Sequence, residues 1–161
     1  VAAYDRSGAR YPAEDLDAGG APTIEVFCGI LIEEAGAEGV SPEVLFVQAM
    51  HETGWLRFGG QVNISQFNFG GLGATDGGGA GASFSSVRIG LRAQAQHLKA
   101  YGSTEPLNQD CVDPRFHLVR RGCAEYVEWL GVHENPQGCG WATDPGYGIK
   151  LRAMMGECFG L

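Results

Sequence analysis

Apolar side chains recur at three- and four-residue spacing along much of this chain, which is the period of an amphipathic helix. One such stretch begins at Ile24 and stops at Gly36. A second follows Ser41, a natural N-cap with proline at the next position, and stops at Gly54, where a left-handed C-cap would lie. The second segment is apolar on more than one side, so we expect it to run through the core rather than over it.

Helical periodicity returns in the second half of the chain. It resumes after Ser85 and Ser86, either of which could cap the helix, and four polar residues of that helix are expected to face away from the core: Arg88, Arg92, Gln96 and Lys99. A shorter helical stretch follows near residues 124–130. The last helix is predicted to begin with Asp144 as its cap and Pro145 in its first turn.

Two segments lack this periodicity. Residues 1–21 are small, acidic and interrupted by proline and glycine, which indicates an extended arm on the surface. We therefore divide the chain into this N-terminal arm and one domain over residues 22–161. Residues 59–83 are rich in Gly, Asn, Ser and Gln, which is typical of loops or short strands. The expected fold class is therefore mainly α (α+β), with a helical core and a small Gly-rich lobe.

The net charge of −8 limits the choice of partners. Phosphate binding requires clustered Lys and Arg, so nucleic acid is not an expected partner. No apolar run approaches the roughly 20 residues needed to span a bilayer, so no membrane association is expected either. The N-terminus does not have the form of a signal peptide, and we interpret the chain as a mature or excised domain. At 161 residues it is expected to be a monomer with one domain.

The five cysteines are compatible with one or two disulfide bridges in an exported protein, and their odd number leaves at least one unpaired. Cys28 lies on an apolar helical stretch and is the predicted buried free thiol, because an isolated cysteine behaves as a small hydrophobic side chain. Pairing among the remaining four stays open: Cys111, Cys123, Cys139 and Cys158. No C-x-x-C pair is present, so no metal site is expected.

The segment QAMHETGW at residues 48–55 carries the clearest chemistry, because a carboxylate there closes an apolar helix just before a glycine. The partial negative charge at a helix C-terminus and an apolar setting both disfavour the ionised form, so we expect a raised pKa for Glu52. A carboxyl group that stays protonated can act as the general acid of a glycosidase. The alternative is an ordinary surface glutamate at a frayed helix end. A zinc protease is excluded, because its motif needs a second His where Trp55 stands.

The glycine-rich stretch FNFGGLGATDGGGAG at residues 67–81 does not have the spacing of a nucleotide-binding loop, and no cofactor is expected. Glycines beside aromatic rings instead suit a carbohydrate groove, where backbone groups approach sugar hydroxyls and rings stack on sugar faces. One of the two aromatic residues Phe67 and Phe69 is expected to fill the core.

Four motifs, in this order, resemble the bacterial endo-β-N-acetylglucosaminidases of the autolysin and flagellar-hydrolase type, which have a lysozyme-like fold. The resemblance covers roughly residues 22–156 and rests on the segments VQAMHETGW, FNFGGLGA, SVRIGLRAQAQHLKAY and WATDPGYGIKL. It implies a bacteriolytic enzyme that cleaves the β-1,4 bond between N-acetylglucosamine and N-acetylmuramic acid in the glycan strands of peptidoglycan. It also implies a location outside the cell or in the cell wall, with a phage endolysin origin left open.

The resemblance assigns roles to single residues. Glu52 matches the general acid of the family, and Tyr147 matches an aromatic residue near the cleft. Asn68 and Phe69 match the groove loop that binds substrate. The family commonly has tyrosine where this chain has Trp141, which lacks the hydroxyl donor but can stack on sugar.

The second carboxylate of a lysozyme-like site is expected in the lobe after the catalytic helix, where Asp76 is the only acidic residue between Thr53 and Ala100. Asp76 is therefore the candidate by elimination, but the glycines at 77–79 equally fit a solvated turn. Without a second carboxylate, the acetamido oxygen of the substrate could attack the anomeric carbon. The sequence leaves both routes open.

Two other functions remain open. A lytic transglycosylase shares the fold and the single glutamate, but it closes an anhydro ring instead of admitting water. A non-catalytic wall-binding or sporulation module would keep the groove without the activity, and the presence of Glu52 counts against it.

Overall fold

The computed structural model describes residues 1–75 and 79–161. Its α-helices are α1 (Ala2–Arg6), α2 (Ala13–Asp17), α3 (Ile24–Glu38), α4 (Pro42–Thr53), α5 (Val87–Gly102) and α6 (Tyr147–Phe159). The other described elements are 3₁₀ helices at Ile64–Gln66, Phe116–Leu118 and Val127–Leu130, and an antiparallel hairpin of β1 (Ala74–Thr75) and β2 (Gly79–Ala80). The predicted fold class, a mainly helical core with a small glycine-rich lobe, is confirmed. No helix in these ranges is long and apolar enough to cross a membrane.

Helix α4 lies at the centre of the core, as its sequence predicts. Ser41 caps its start by accepting a hydrogen bond from the backbone N–H of Val44 at 3.3 Å. Gly54 ends it in the left-handed region, with φ 57°. The helix contacts α3, α5 and α6, and most of its length is inaccessible to solvent. A polar residue in the buried middle of α4, such as Gln48, is therefore held in place by surrounding protein atoms.

Helix α3 continues past the predicted stop at Gly36 and ends at Gly39, which has φ 74°. Its second half brings Glu34 and Glu38 against α5, where both residues are buried. Burial alone would raise the pKa of Glu34, but hydrogen bonds from arginines of α5 hold that pKa below its ordinary value. The pKa of Glu38 is likewise held below its ordinary value against burial, by the backbone N–H of Asn108 and by Gln96 and Lys99 of α5.

The prediction that the polar side of α5 faces away from the core is wrong for three of its residues. Arg92 Nε lies 2.8 Å from Glu34 Oε2, and Lys99 Nζ lies 3.4 Å from Glu38 Oε2. Gln96 is fully buried and donates a hydrogen bond to Glu38 Oε1 at 3.1 Å. These polar groups turn inward because two buried carboxylates of α3 require partners, and α5 is the element that faces them.

The N-terminal segment is not the extended surface arm that its composition predicts. Residues 1–21 form α1 and α2, and four side chains of the segment are buried: Ala3, Tyr4, Leu16 and Ala21. The hydroxyl of Tyr4 donates to the carbonyl oxygen of Trp55 at 3.3 Å. The segment therefore packs against the turn that follows α4. Its buried apolar side chains are too few to form a periodic pattern in the sequence.

The small lobe joins α4 to α5 and is held by polar side chains. Asn63 and Gln66 form a reciprocal capping box on the first 3₁₀ helix, and Gln66 Nε2 also donates to the carbonyl oxygen of Ala80 at 2.8 Å. Helix α5 comes very close to this lobe, because a Cβ atom at Gly90 would overlap the carbonyl oxygen of Phe67. Glycine at this position is what lets the helix and the lobe touch.

The cysteines divide into one disulfide and three free thiols. Cys123 and Cys139 form the bridge, which closes the loop that precedes α6. Cys28 is free and buried, which confirms its prediction. The other free cysteines are Cys111 and Cys158.

The start of α6 differs from the prediction. The helix begins at Tyr147 after Gly146, which has φ 76°, and no side chain caps it. The carboxylate of Asp144 instead pairs with Lys150 on the exposed surface, with Oδ2 2.5 Å from Nζ. Glycine in the left-handed region makes the turn into the helix, so the predicted cap is not needed. The stretch near residues 124–130 is helical as predicted, but as the short 3₁₀ helix Val127–Leu130.

Candidate active site

Glu52 lies in the last turn of α4 and lines a cavity of about 310 Å³ together with residues of the small lobe, among them Phe58, Asn68 and Gly71. The chain turns sharply after it, because Trp55 and Leu56 both adopt left-handed backbone conformations with φ near 60°. That conformation costs a non-glycine residue about 1–2 kcal/mol. The turn carries the chain directly from the end of α4 into the lobe, and the cavity forms between them.

The hydroxyl of Thr53 fixes this turn. It donates to the carbonyl oxygen of Ala49 at 2.7 Å and accepts from the backbone N–H of Leu56 at 2.9 Å. Leu56 itself is buried. These contacts hold the helix end rigid, so the position of the Glu52 carboxyl is set by the core.

The carboxyl group of Glu52 has a pKa near neutral pH. Desolvation by the surrounding protein raises its pKa to about 7, against a hydrogen bond from Tyr147 that lowers it. The residue is nevertheless open to solvent on its cavity side, and that water moderates the desolvation penalty. The predicted rise in the pKa of Glu52 is therefore present, and its cause is burial rather than a charged neighbour.

A chain of hydrogen bonds from the core orients this carboxyl. Gln94 Nε2 donates to Gln48 Oε1 at 2.9 Å, and Gln48 Nε2 donates to the hydroxyl oxygen of Tyr147 at 3.1 Å. That hydroxyl donates to Glu52 Oε1 at 2.5 Å. Gln48 and Gln94 are fully buried, and Tyr147 is 2% exposed. Because an ionised carboxylate can only accept, Tyr147 must donate to it, and this fixes the direction of the whole chain.

The same chain decides which carboxyl oxygen carries the acidic proton. Oε1 is occupied as an acceptor from Tyr147, so the proton of the neutral acid resides on Oε2. A Cβ atom placed on Gly71 would lie only 3.3 Å from that oxygen. Gly71 also has φ 64°, a conformation that glycine adopts without strain. The absence of a side chain at this position leaves Oε2 uncovered where it faces the cavity.

The two glutamines were not among the residues that sequence reasoning singled out. Gln48 lies one helical turn before Glu52 and so on the same face of α4, and an amide in an otherwise apolar helix is a signal that could have found it. Gln94 gives no such signal, because its partner is 46 positions away along the chain.

The predicted substrate-binding residues occupy different environments. Asn68 lines the cavity, but its amide is engaged in holding the lobe, donating to the carbonyl oxygens of Leu72 at 2.9 Å and Ala82 at 3.0 Å. Phe69 is fully buried with its ring edge-on to Phe27, so it does not reach the cavity, and the expectation that it contacts sugar is wrong. Its ring instead fills the space beneath the lobe.

Tyr147 and Trp141 are both close to the site, in different ways. Tyr147 is buried and contacts Glu52, so it orients the acid rather than stacking on sugar. Trp141 is half-buried and donates from Nε1 to the carbonyl oxygen of Gly70 at 3.2 Å, which places its ring beside the lobe. The predicted second carboxylate, Asp76, lies outside the described residues.

A neutral carboxylic acid in a cleft, beside a mainly helical core, is the arrangement by which glycoside hydrolases protonate a leaving oxygen. Within the described ranges, no group of three or more His, Cys, Asp and Glu side chains is placed to hold a metal ion. The mainly helical fold and the raised pKa of Glu52 are the features that a glycosidase type of acid site requires.

Comparison with known proteins identifies the family. The profile of the glucosaminidase family, described as mannosyl-glycoprotein endo-β-N-acetylglucosaminidase, matches residues 28–158, and the chain belongs to this family. An uncharacterised protein of Borreliella burgdorferi is 40% identical over 126 residues, which are 78% of this chain and 58% of that relative. The chain thus spans little more than half the length of that relative. No solved structure matches.

Proposed function

We propose that this chain hydrolyses the β-1,4 bond between N-acetylglucosamine and N-acetylmuramic acid in peptidoglycan, with Glu52 as the general acid. The observation that carries the proposal is the state of Glu52, whose pKa of about 7 keeps a proton available at neutral pH. Its family membership supports a glycosidase acting on N-acetylglucosaminyl bonds. A wall-binding module without activity would have no use for a neutral acid oriented by a buried tyrosine.

The geometry supports a defined first step. The proton on Glu52 Oε2 passes to the glycosidic oxygen, the bond from the anomeric carbon to that oxygen breaks, and its electron pair stays on the leaving oxygen. Glu52 is then a carboxylate stabilised by the hydrogen bond from Tyr147. A water molecule adds its hydroxyl to the anomeric carbon and returns its proton to Glu52.

The positive charge that develops on the sugar requires a second group. Among the described residues that line the cavity, Glu52 is the only carboxylate. We propose the route in which the acetamido oxygen of the substrate attacks the anomeric carbon and water opens the resulting ring, because this route needs no second carboxylate; Asp76 is the alternative. A second candidate function that also needs only one carboxyl group is a lytic transglycosylase. It would cleave the neighbouring bond, in which muramic acid carries the anomeric carbon, and a hydroxyl of that muramic acid would take the place of water.

Digestion of purified cell walls by wild-type protein and by Glu52→Gln tests the proposal. The amide keeps the shape of the side chain but has no acidic proton, so we expect the rate of turbidity loss to fall by about 100-fold or more. Glu157→Gln, at an exposed position on α6, is the matched control and should keep full activity. Activity of Glu52→Gln within a few-fold of wild type would rule out Glu52 as the acid.

Mass spectrometry of the released fragments separates the two reactions. Hydrolysis leaves a reducible N-acetylglucosamine end, whereas transglycosylation leaves an anhydro-muramic end that lacks one water and resists borohydride. We expect the reducible end. A substrate in the wall also implies action outside the cytoplasm, and the Cys123–Cys139 bridge supports an oxidising location.

A further inference from the structure

A second cavity, of about 160 Å³, adjoins the Glu52 cavity. Both are lined by Gly71 and Ala74, so they share the segment of the lobe that faces the acid. The remaining walls of this second cavity include His97, Tyr101, Arg115 and Trp141. A substrate bound at Glu52 is therefore within reach of these side chains.

The second cavity differs in charge from the rest of the molecule. The chain has a net charge of −8, yet the described lining of this cavity holds one arginine and no carboxylate. Arg115 is exposed and lies over the lobe, where a Cβ atom on Gly73 would be 3.9 Å from its Cδ. In the part of the chain that the structure describes, its guanidinium has no ion-pair partner within 4.0 Å.

The carboxylate that is close to Arg115 in sequence is already engaged. Asp113 is buried, and its Oδ2 lies 2.6 Å from His97 Nδ1. Its Oδ1 accepts from the backbone N–H of Arg115 at 2.9 Å. Asp113 thus fixes the backbone beside the arginine and leaves the guanidinium free to bind an anion from outside.

The wall opposite the solvent is rigid. The ring of His97 packs edge-on against Trp141 at 4.6 Å between centroids and against Tyr101 at 5.4 Å. The hydroxyl of Tyr101 donates to the carbonyl oxygen of Gly140 at 2.7 Å. A fixed aromatic wall beside one free guanidinium suits a ligand group that carries a carboxylate on an apolar stem, since guanidinium binds carboxylate through two parallel hydrogen bonds.

We propose that this cavity binds a carboxylate carried by the 3-O substituent of the substrate's muramic acid, with Arg115 as its binding residue. The inference rests on the proposed function, because only a muramic acid brings such a carboxylate next to the bond that Glu52 cleaves. The carboxylate has two sources. In strands that bear peptide stems it belongs to the peptide, and in strands stripped of peptide it is the lactyl group itself.

The test compares the KM values of two enzymes on two substrates. Wild type and Arg115→Gln are assayed on soluble peptidoglycan strands, either native or with their carboxylates converted to amides. On native strands we expect the variant to raise KM about ten-fold, the size of one lost charged hydrogen bond, with kcat within two-fold. On amidated strands the two enzymes should have the same KM. Strands stripped of peptide, native and amidated, then show which source of carboxylate is bound.

Controls separate this inference from its premise. Arg120→Gln, at an exposed arginine outside the cavity lining, should behave as wild type. If amidation changed KM equally for wild type and Arg115→Gln, or if neither change affected KM, the carboxylate site would be refuted while the hydrolase stood. If wild type cleaved none of the strands, the proposed function itself would be refuted.

Discussion

Replacing Tyr147 with phenylalanine isolates the hydrogen bond that orients the acid. The change keeps the buried ring and removes the hydroxyl that donates to Glu52 Oε1. That bond stabilises the ionised carboxylate and so lowers the pKa of Glu52. Its loss must raise the pKa. In the proposed mechanism Glu52 acts only when protonated, so the alkaline limb of the rate profile should move to higher pH.

The size of the shift follows from the kind of bond. A hydrogen bond to a charged group contributes about 1.5–3 kcal/mol, and the lower end applies because Glu52 is open to water on its cavity side. One pKa unit corresponds to about 1.4 kcal/mol, so the limb should move by roughly one unit. Gln48 Nε2 also loses its acceptor in the core, which costs about 1–3 kcal/mol of stability, or roughly 2–12 °C in Tm.

The assay is the pH dependence of kcat/KM on soluble glycan strands, because that ratio reports the pKa values of the free enzyme. Wild type should lose activity above about pH 7, and Tyr147→Phe above about pH 8. Tyr126→Phe, at a tyrosine that is 58% exposed, controls for the loss of a hydroxyl elsewhere. An alkaline limb that stayed in place or moved to lower pH in Tyr147→Phe would show that the Tyr147 hydroxyl does not stabilise the ionised carboxylate of Glu52.

Four further changes have defined outcomes. The pKa of Glu52 is raised in the folded state, so ionisation of this residue destabilises the fold as pH rises from about 4.5 to about 7. The Tm of Glu52→Gln should therefore exceed that of wild type by a few °C at pH 8, and the two should have the same Tm at pH 4. Asp76→Asn should reduce the rate of glycan cleavage far less than Glu52→Gln, and an equal loss would establish a two-carboxylate mechanism. Asp144→Ala should leave Tm within about 1 °C of wild type by calorimetry, because its pair with Lys150 is exposed and it caps no helix. Replacing both Cys123 and Cys139 by serine should lower Tm by about 6–12 °C, since closing a loop of 16 residues is worth roughly 3 kcal/mol; an unchanged Tm would contradict a stabilising bridge.

Local signals in the sequence predicted the parts of the fold that depend on neighbouring residues. Ser41, Gly54 and Ser86 act where they were expected, because a cap needs only the backbone of the adjacent turn. The raised pKa of Glu52 could be predicted for the same reason, because the helix that carries this residue is apolar and ends one residue after it. Asp144 is an exception, where glycine in the left-handed region starts the helix instead.

Features that join distant parts of the chain could not be predicted. Gln96 turns inward because Glu38, 58 positions earlier, lies buried on the facing helix. Phe69 fills the core because Phe27 leaves room for it, and no periodic pattern connects the two. The tyrosine that orients Glu52 was identified as close to the cleft, but its role depends on an amide 99 positions away. The spacing of residues along the chain does not encode such contacts.

The close approach of Gly90 to the carbonyl oxygen of Phe67 limits how this domain can be recombined with its relatives. A lobe transplanted from another member of the family would meet α5 at a position where no side chain fits. A successful chimaera must therefore exchange the lobe and the facing turn of α5 as one block, with Gln94 moving along as the first link to the acid. During divergence these segments, separated by some twenty residues in the chain, would have to change together.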